Sequence, residues 1–185
     1  SPKEDGADIA CGDCQSLGMP LAFGGPSLGY LATEKEYVRK MPGRICGLTY
    51  DQDGKRAFVL TLQAREQHIR RAKANSNICS NQSLMALYVT VYLSLMGKKG
   101  LTQVNNLSYQ GAHYLYEALL KTKKFTDPFK KAFLKEFTLE TKIPQETIQT
   151  ALLEKGIFGG VSLAIYGDKY QGLINFAVTE KRTKA

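Results

Sequence analysis

The residues best suited to chemistry lie in a basic run that ends in a polar elbow ahead of a long apolar segment. The run carries four arginines or lysines and one histidine, which are Arg65, His68, Arg70, Arg71 and Lys73. The elbow is Asn75-Ser76-Asn77, and the apolar segment after it predicts a helix. A helix N-terminus offers free backbone N–H groups and a partial positive charge, so the elbow could hold a phosphate or a carboxylate. A solvated basic helix joined to a core helix accounts for the same residues equally well.

The whole chain is basic, with a formal net charge of +8 and a pI near 9.3. This balance favours an acidic partner, which could be nucleic acid, a phosphorylated cofactor or an acidic protein. The basic residues are spread along the chain rather than concentrated in a tail, so charge alone gives nucleic-acid binding only modest support. With 185 residues, of which 43% are hydrophobic and 23% charged, the composition is that of a soluble globular protein of one or two domains.

The four cysteines predict neither a metal centre nor a disulfide framework. They are Cys11, Cys14, Cys46 and Cys79. Cys11 and Cys14 have CxxC spacing, but no second close pair or histidine cluster completes a zinc set, and loop residues follow them. We therefore expect reduced thiols and no metal in a cytoplasmic protein without a signal peptide. The longest apolar run, at 84–96, is too short to span a bilayer.

The first part of the chain predicts two short strands around a glycine- and proline-rich loop. The strands lie at 7–11 and 29–32, and no element before the first strand is available to pair with it. Thr33 and Glu36 have the spacing of a capping box, which predicts a helix that ends before Pro42.

A hairpin and two long helices follow. Apolar runs at 45–50 and 56–62 flank a turn that closes on a glycine, which is the signal of a β-hairpin. The helix predicted at about 80–97 is apolar nearly all round, so we expect it to be buried on most sides, with Gly97 as its cap. A second helix is predicted at about 101–120.

The sequence pattern changes after residue 120. Alternating apolar and polar residues at 133–140 and 174–178 predict two strands, each with one buried face. A helix between them is predicted to start at Pro144, a position that proline tolerates, and to end at Gly156.

We place the domain boundary at this change of pattern. Residues 1–120 are predicted to be part of a larger domain that includes the buried helix at 80–97, and residues 121–185 a small α+β domain. A further helix pattern begins at Thr179, and the first strand lacks a neighbour. We therefore expect the chain to be a fragment.

Three long motifs make the chain recognisable, namely QSLGMPLAFGGPSLGYLATEKEYVRKMPGRICG, LTLQAREQHIRRAKANSNICSNQSL and YLSLMGKKGL. They closely resemble the glycine cleavage system P protein, the decarboxylating glycine dehydrogenase, and specifically its first subunit in bacteria. The resemblance covers essentially the whole chain and implies the carboxy-terminal part of that subunit. The departures are small, since the family usually has a threonine where Ala64 stands and an acidic residue where Ala72 stands.

The resemblance implies an α/β fold, that of the type I pyridoxal-phosphate-dependent transferases, in which a large domain with a mostly parallel sheet precedes a small α+β domain. It also implies an oxidoreductase of glycine decarboxylation. Glycine would combine with pyridoxal phosphate, lose CO2 and pass its aminomethyl group to the lipoyl arm of the H protein. The implied partners are a second, lysine-bearing P protein subunit in a heterotetramer and the acidic, lipoylated H protein.

The resemblance further implies that this chain has no Schiff-base lysine. In the family's second subunit, the lysine lies just before an Ile-Pro and glycine-rich loop. The matching place here is 15–20, which contains no lysine and begins with Gln15 and Ser16. We therefore expect no catalytic residue of the chain's own at this place. Pyridoxal phosphate would be bound by the partner subunit, and the fragment alone would be inactive.

The elbow is the expected contribution to the partner's active site. In type I enzymes each active site borrows residues from the neighbouring subunit, commonly from the elbow before the long core helix. The resemblance thus implies that Asn75, Ser76 and Asn77 reach across the interface to the cofactor phosphate or its surroundings.

The basic run is the second expected contribution. The resemblance implies that Arg65, His68 and Arg71 orient the glycine carboxylate, the phosphate or the entering lipoyl arm. Ion pairs between subunits, made by Arg65, Glu66 and Arg70, explain the same charges equally well.

Two further features are interpreted as structural. We expect His113 to be a surface residue of a helix, and the turn Gly24-Gly25-Pro26 to close the fold.

Two other functions remain open on the sequence. One is a self-sufficient pyridoxal-phosphate enzyme such as an aminotransferase. The other is a nucleic-acid-binding module that uses the basic run, although that run has few aromatic residues for stacking on bases.

Overall fold

The computed structural model of the chain describes residues 2–74 and 82–183. The chain divides into two compact units, Ser1–Leu95 and Met96–Ala185. The domain boundary expected after residue 120 stays a prediction. Within the described residues, no helix is both long and apolar enough to cross a membrane.

Two antiparallel strand pairs make up the sheets of the first unit. Strand β1 (Ile9–Asp13) pairs with β2 (Gly29–Thr33), so the first strand has a neighbour within the chain, later in the sequence. Strand β3 (Ile45–Tyr50) pairs with β4 (Arg56–Thr61), and this confirms the predicted hairpin. Its turn is fixed by Asp51, whose Oδ1 accepts hydrogen bonds from the backbone N–H groups of Asp53 and Lys55.

The capping box predicted at Thr33 and Glu36 is wrong. The segment after β2 is a 3-10 helix, Lys35–Lys40, preceded by Glu34 and without a side-chain cap. The hydroxyl of Thr33 instead donates to the backbone carbonyl of Asp8, at 3.3 Å. Because Thr33 is the last residue of β2, its hydroxyl faces the start of β1 rather than a helix N-terminus.

Short helical turns lead from the hairpin to the long helix. They are the 3-10 helix Gln63–Arg65, helix α1 (Gln67–Arg70) and the 3-10 helix Arg71–Lys73. The long helix, α2 (Ser83–Lys121), contains a break at Gly97, where φ is 59° and ψ is −179°. The predicted end of a helix at Gly97 is thus confirmed as an interruption, which a glycine without a Cβ atom permits.

The helix expected at 80–97 is not buried on most sides within this chain. One face of α2 packs on the loop between β1 and β2, where the buried residues are Cys14, Met19 and Val89. The opposite side exposes five large apolar side chains, which are Leu84, Leu87, Tyr88, Val91 and Leu95. We call these five residues the apolar stripe. The prediction failed because an apolar sequence shows what a helix prefers to contact, but not whether a partner is present.

The second unit contains a four-stranded antiparallel sheet in the order β5-β6-β8-β7. The strands are β5 (Phe125–Thr126), β6 (Glu136–Thr141), β7 (Val161–Ser162) and β8 (Leu173–Ala177). The predicted strand at 133–140 thus begins later, since the chain at 127–135 is a loop. Helix α3 (Gln145–Leu153) starts just after Pro144 and ends before Gly156. The helix expected from Thr179 is absent in the described residues up to 183.

The core of the second unit lies between the sheet and the second half of α2. Its buried residues are Ala112, Phe125, Phe137, Leu139, Ile174, Phe176 and Val178. Along β6 the buried side chains alternate with more exposed ones, as expected for a strand with one buried face.

Candidate functional site

The loop after β1 is closed by Gln15, at the place where a Schiff-base lysine was sought. The side-chain amide of Gln15 donates hydrogen bonds to two backbone carbonyls, those of Pro20 at 2.8 Å and Met19 at 3.3 Å. Its backbone N–H donates to Asp13 Oδ1 at 2.9 Å. Gln15 therefore holds the loop together through a neutral amide. Ser16 beside it is exposed.

The same loop is fixed against α2 by buried side chains and one close approach. Cys14 and Met19 are both buried and pack with Val89. Gly18 has a φ of +81°, and a Cβ atom there would come within 2.4 Å of the Tyr92 ring. A larger residue at this position would therefore disturb both the backbone and the packing on α2.

Arg65 is the one buried residue of the three that were predicted to orient an anion. It is 7% exposed, and its neighbour Glu66 is 8% exposed. Arg65 Nη2 donates to the carbonyl of Gly43 at 2.5 Å and lies 3.7 Å from Glu66 Oε1. Among the described residues, its Nε and Nη1 atoms are buried without a hydrogen-bond acceptor. A buried guanidinium with two spare donors has the chemistry to receive a further carboxylate, phosphate or carbonyl group.

The local sequence turns Arg65 inward. Strand β4 ends at Thr61, and Leu62 adopts a left-handed conformation with a φ of 54°. This reversal starts the 3-10 helix Gln63–Arg65 and directs the chain back toward the segment before β3, where Gly43 accepts the hydrogen bond. The ion pair with Glu66 keeps the positive charge from being buried alone.

His68 and Arg71 lie on the exposed side of the short helical segment that follows. In the part of the chain that the structure describes, neither side chain has a hydrogen-bond or ion-pair partner. Arg71 has a positive φ of 54°, which ends α1 after a single turn. Burial thus separates Arg65 from the other two residues. The predicted roles of all three stay predictions.

The elbow residues Asn75, Ser76 and Asn77 lie outside the described residues, and their predicted contact with a cofactor phosphate stays a prediction. The ion-pair explanation of the basic run concerns the same region. One of its pairs, Arg65 with Glu66, is formed within the chain, whereas Arg70 is exposed.

The described cysteines are Cys11, Cys14 and Cys46, and all three are free thiols, of which only Cys14 is buried. Over residues 2–74 and 82–183, no group of three or more histidine, cysteine, aspartate or glutamate side chains could hold a metal ion.

His113 is more enclosed than the surface position predicted for it. Its ring stacks on Phe133 with a centroid distance of 4.2 Å and lies 4.0 Å from the ring of Tyr109. Its Nε2 lies 3.2 Å from the carbonyl oxygen of Phe133. The stack forms because the loop before β6 folds back over α2, which the local sequence does not reveal.

A polar contact close to this stack was not predicted from the sequence. The hydroxyl of Tyr116 donates a 2.6 Å hydrogen bond to Asp127 Oδ2. The pair Asp127-Pro128 is a signal for a turn, and it could have drawn attention to the loop. Its partner eleven residues earlier on a helix could not have been found from spacing alone.

Comparison with known structures defines the class of the fold. The chain superimposes on the crystal structure of a glycine decarboxylase (P-protein) of the glycine cleavage system in inhibitor-bound form, with a TM-score of 0.87 and 45% sequence identity. The match covers 99% of this chain and 41% of that one. The chain therefore has the α/β fold of part of a pyridoxal-phosphate enzyme, which confirms the predicted fold class.

The family follows from the sequence. Residues 1–185 match the family model for the glycine cleavage system P-protein, and the chain belongs to that family. It is 52% identical to the probable glycine dehydrogenase (decarboxylating) subunit 1 of Desulforamulus reducens and 49% identical to that of Moorella thermoacetica. Each match covers 100% of this chain and 41% of the relative. The chain thus spans about two fifths of the length of these relatives, and the resemblance seen in the motifs is confirmed.

Proposed function

We propose that the chain is part of the subunit of glycine decarboxylase that lacks the Schiff-base lysine and completes the active site of a lysine-bearing partner. The observation that carries this proposal is identity of about half, across the whole chain, to proteins named as subunit 1 of a decarboxylating glycine dehydrogenase. The names of these relatives do not favour an aminotransferase or a nucleic-acid-binding module. The compartment that goes with this proposal is the cytoplasm.

The loop at 15–20 does not fit a covalent tether for pyridoxal phosphate. A Schiff base needs a lysine amine, and this loop has none, while the amide of Gln15 is engaged with the carbonyls of Met19 and Pro20. When bound by the partner, the cofactor supplies the electron sink for decarboxylation. The role that remains for this chain is to bind and orient the cofactor phosphate, the glycine carboxylate or the lipoyl arm.

Arg65 is the residue best placed for that task within the described chain. Its buried position and its two spare donors suit an anionic or carbonyl acceptor brought by a neighbouring segment. We assign His68 and Arg71, on the exposed side, to the glycine carboxylate, the cofactor phosphate or the lipoyl arm as it enters. Asn75, Ser76 and Asn77 would serve the cofactor phosphate across the interface.

The partners in this proposal are the second P protein subunit, with which the chain would form a heterotetramer, and the lipoylated H protein. Full-length subunit 1 should show little glycine-dependent release of CO2 by itself and should give activity when mixed with its cognate second subunit. Activity of the mixture no greater than that of the second subunit alone would contradict the proposal.

The absence of a covalent tether can be tested separately. After borohydride reduction of the active mixture, mass spectrometry should find the cofactor on a lysine of the second subunit only. A cofactor fixed to any residue of the present chain would overturn the assignment.

The role of Arg65 needs a matched control. Arg65→Gln should lower the rate of the mixture by about tenfold or more, because a buried charged donor is lost. Arg56→Gln, at an arginine that lies over the Phe58 ring in the hairpin, should leave the rate unchanged. Binding of the second subunit is measured for both variants, which separates loss of assembly from loss of orientation.

A further inference from the structure

The loop at 127–133, here called the Lys130 loop, is held in one shape by the carboxylate of Asp127. Its Oδ2 accepts the hydrogen bond from Tyr116, and its Oδ1 accepts the backbone N–H groups of Phe129 and Lys130, each at 2.9 Å. Partial burial works against the charge, but these hydrogen bonds and the Lys130 cation hold the pKa of Asp127 below its ordinary value. The carboxylate is therefore ionised at neutral pH, and its hydrogen bonds link the loop to itself and to α2.

The loop that these hydrogen bonds hold in shape exposes its side chains to solvent. Phe129 is 53% exposed, and Lys130 and Lys131 are both exposed. Lys130 adopts a left-handed conformation with a φ of 50°, which the two hydrogen bonds to Asp127 Oδ1 support. A loop already fixed in shape loses little conformational entropy when a partner binds it.

Residues of the Lys130 loop line two surface cavities of about 700 and 270 Å³. Lys131 and Phe133 line both cavities. The larger one also has His113 in its wall and Lys130 at its side, and the smaller one has Phe129 and the only other acidic side chain of the two linings, Glu136. The loop thus contributes aromatic and positively charged side chains to both cavities.

Lysines outnumber carboxylates on this surface of the described chain. Lys123 and Lys124, directly before β5, are exposed like Lys130 and Lys131. Over residues 2–74 and 82–183, none of these four lysines lies within 4 Å of a carboxylate, whereas Lys121 pairs with Glu117 at 3.9 Å. Asp127 is the carboxylate whose charge acts on Lys130. The surface therefore attracts negative charge over a distance of about 10 Å at moderate salt.

Apolar side chains among these lysines favour a protein as the partner. Phe129 and the neighbouring Leu134, which is 76% exposed, offer apolar surface that gains little free energy from contact with phosphate groups. Aromatic anchors surrounded by charges at the rim are typical of protein interfaces, where the charges raise the association rate. We infer that the Lys130 loop, with Lys123 and Lys124, docks an acidic face of a protein. We identify that protein as the lipoyl-bearing H protein, and this identification rests on the proposed function.

The test measures binding of lipoylated H protein to the assembled pair of full-length subunits by calorimetry, at low and at high salt. We expect Lys130→Glu together with Lys131→Glu to weaken binding by about tenfold at low salt and less at high salt. Phe129→Ser should weaken it at both. The matched control reverses two other exposed lysines of the second unit, Lys98→Glu with Lys99→Glu, and should bind normally.

Unchanged binding in the Lys130 and Lys131 variant, or an equal loss in the control, would overturn the inference. So would salt-sensitive binding of a DNA or RNA oligonucleotide that this variant abolishes while H protein binding stays normal. Circular dichroism checks that each variant is folded. The change in cofactor absorbance on addition of glycine does not require H protein. If the assembled pair shows this change while H protein does not bind through the Lys130 loop, the proposed function holds and only the docking inference is wrong.

Discussion

The second unit encloses its own core, whereas the first unit leaves much of its apolar surface in solvent. Leu139 and Ile174 are 0% and 1% exposed, and they lie between the sheet and the second half of α2. In the first unit, the core cluster has three buried residues, Val89 on α2 and Cys14 and Met19 in the loop that packs on it. The opposite face of α2 carries the apolar stripe, with Leu84 and Leu95 at 71% and 82% exposure.

This contrast identifies the unit that buries a continuous core made of its own residues. Apolar surface removed from water stabilises a fold by about 25 cal/mol per Å². The second unit gains that stabilisation from its own residues. A row of exposed apolar side chains such as this stripe is typical of a surface that another polypeptide covers, and the relatives are more than twice as long as this chain.

The largest expected effect is in the core of the second unit. Leu139→Ala should lower the free energy of unfolding of this unit by about 3 kcal/mol, because it removes buried methyl groups and leaves a cavity. Native-state hydrogen exchange of β6 and β8 measures the loss directly. Leu134→Ala, at an exposed leucine of the same unit, is the control and should cost less than about 0.5 kcal/mol. Equal losses would mean that the second unit has no specific core.

The next effect compares two glycines with positive φ, one in each unit. Gly160→Ala should cost about 2 to 3 kcal/mol, since the new Cβ would meet the carbonyl oxygen of Asn175 and the side chain of Ile174, each at 2.8 Å, in β8. Gly18→Ala should cost less, because the nearest obstacle there is a side chain, the ring of Tyr92, rather than a backbone carbonyl, although the ring has to shift as a whole since its Cγ lies 2.8 Å from the new Cβ. Thermal melting followed by circular dichroism gives the two values. A larger loss at Gly18 would show that the first unit is the more tightly packed one.

A smaller effect tests the hydrogen bonds of Asp127 that hold the Lys130 loop in shape. Tyr116→Phe removes the hydrogen bond to Asp127 and should cost about 1 to 2 kcal/mol. Tyr109→Phe, on the same helix, is the control for loss of a hydroxyl and should be nearly neutral. Hydrogen exchange of the amides of Phe129 and Lys130 reports whether the loop opens.

Tyr116→Phe should also change how the stability of the chain depends on pH. Because the pKa of Asp127 is lower in the folded state, its contribution to stability is present above the ordinary carboxyl pKa of 3.8 and is lost as pH falls through the lowered value. Hydrogen bonding to Asp127, burial and the negative charge of that carboxylate raise the pKa of Tyr116 above its ordinary value of 10.0. The contribution of Tyr116 to stability is therefore present below pH 10.0 and is lost as pH rises through the raised pKa. In Tyr116→Phe the tyrosine dependence should disappear and the loss of stability in acid should become smaller, since Asp127 keeps its hydrogen bonds from Phe129 and Lys130. An unchanged loss of stability in acid would mean that the Tyr116 hydrogen bond does not lower the pKa of Asp127.

Features set by short-range chemistry were predictable from the sequence. The β3–β4 hairpin follows from a turn that Asp51 and glycine can close locally. The break at Gly97 combines a φ of 59° with a ψ of −179°, a pair of angles that favours glycine over all other residues. The capping box failed because Thr33 donates to a carbonyl 25 residues earlier. Burial of α2 failed for a related reason, since burial depends on what else is present.

The candidate site divides in the same way. The resemblance located the loop at 15–20, but the use of the Gln15 amide to close that loop is visible only in its contacts with Met19 and Pro20. Similarly, the charge of Arg65 was evident, whereas its burial against Gly43 depends on a chain reversal after β4. Sequence identifies the chemical groups, and tertiary structure decides which of them remain free to bind.

The smallest expected effect lies in the apolar stripe and provides the sharpest test of the comparison. Leu87→Ala should change the stability of this chain by no more than about 0.5 kcal/mol, although the same substitution at Leu139 costs several times more. The reason is that Leu87 is already 61% exposed, so truncation removes little buried area and leaves no cavity. Hydrogen exchange along the first half of α2, compared with the parent chain, measures the difference. A loss at Leu87 as large as that at Leu139 would mean that the stripe is buried by the chain itself, and the contrast between the two units would then disappear.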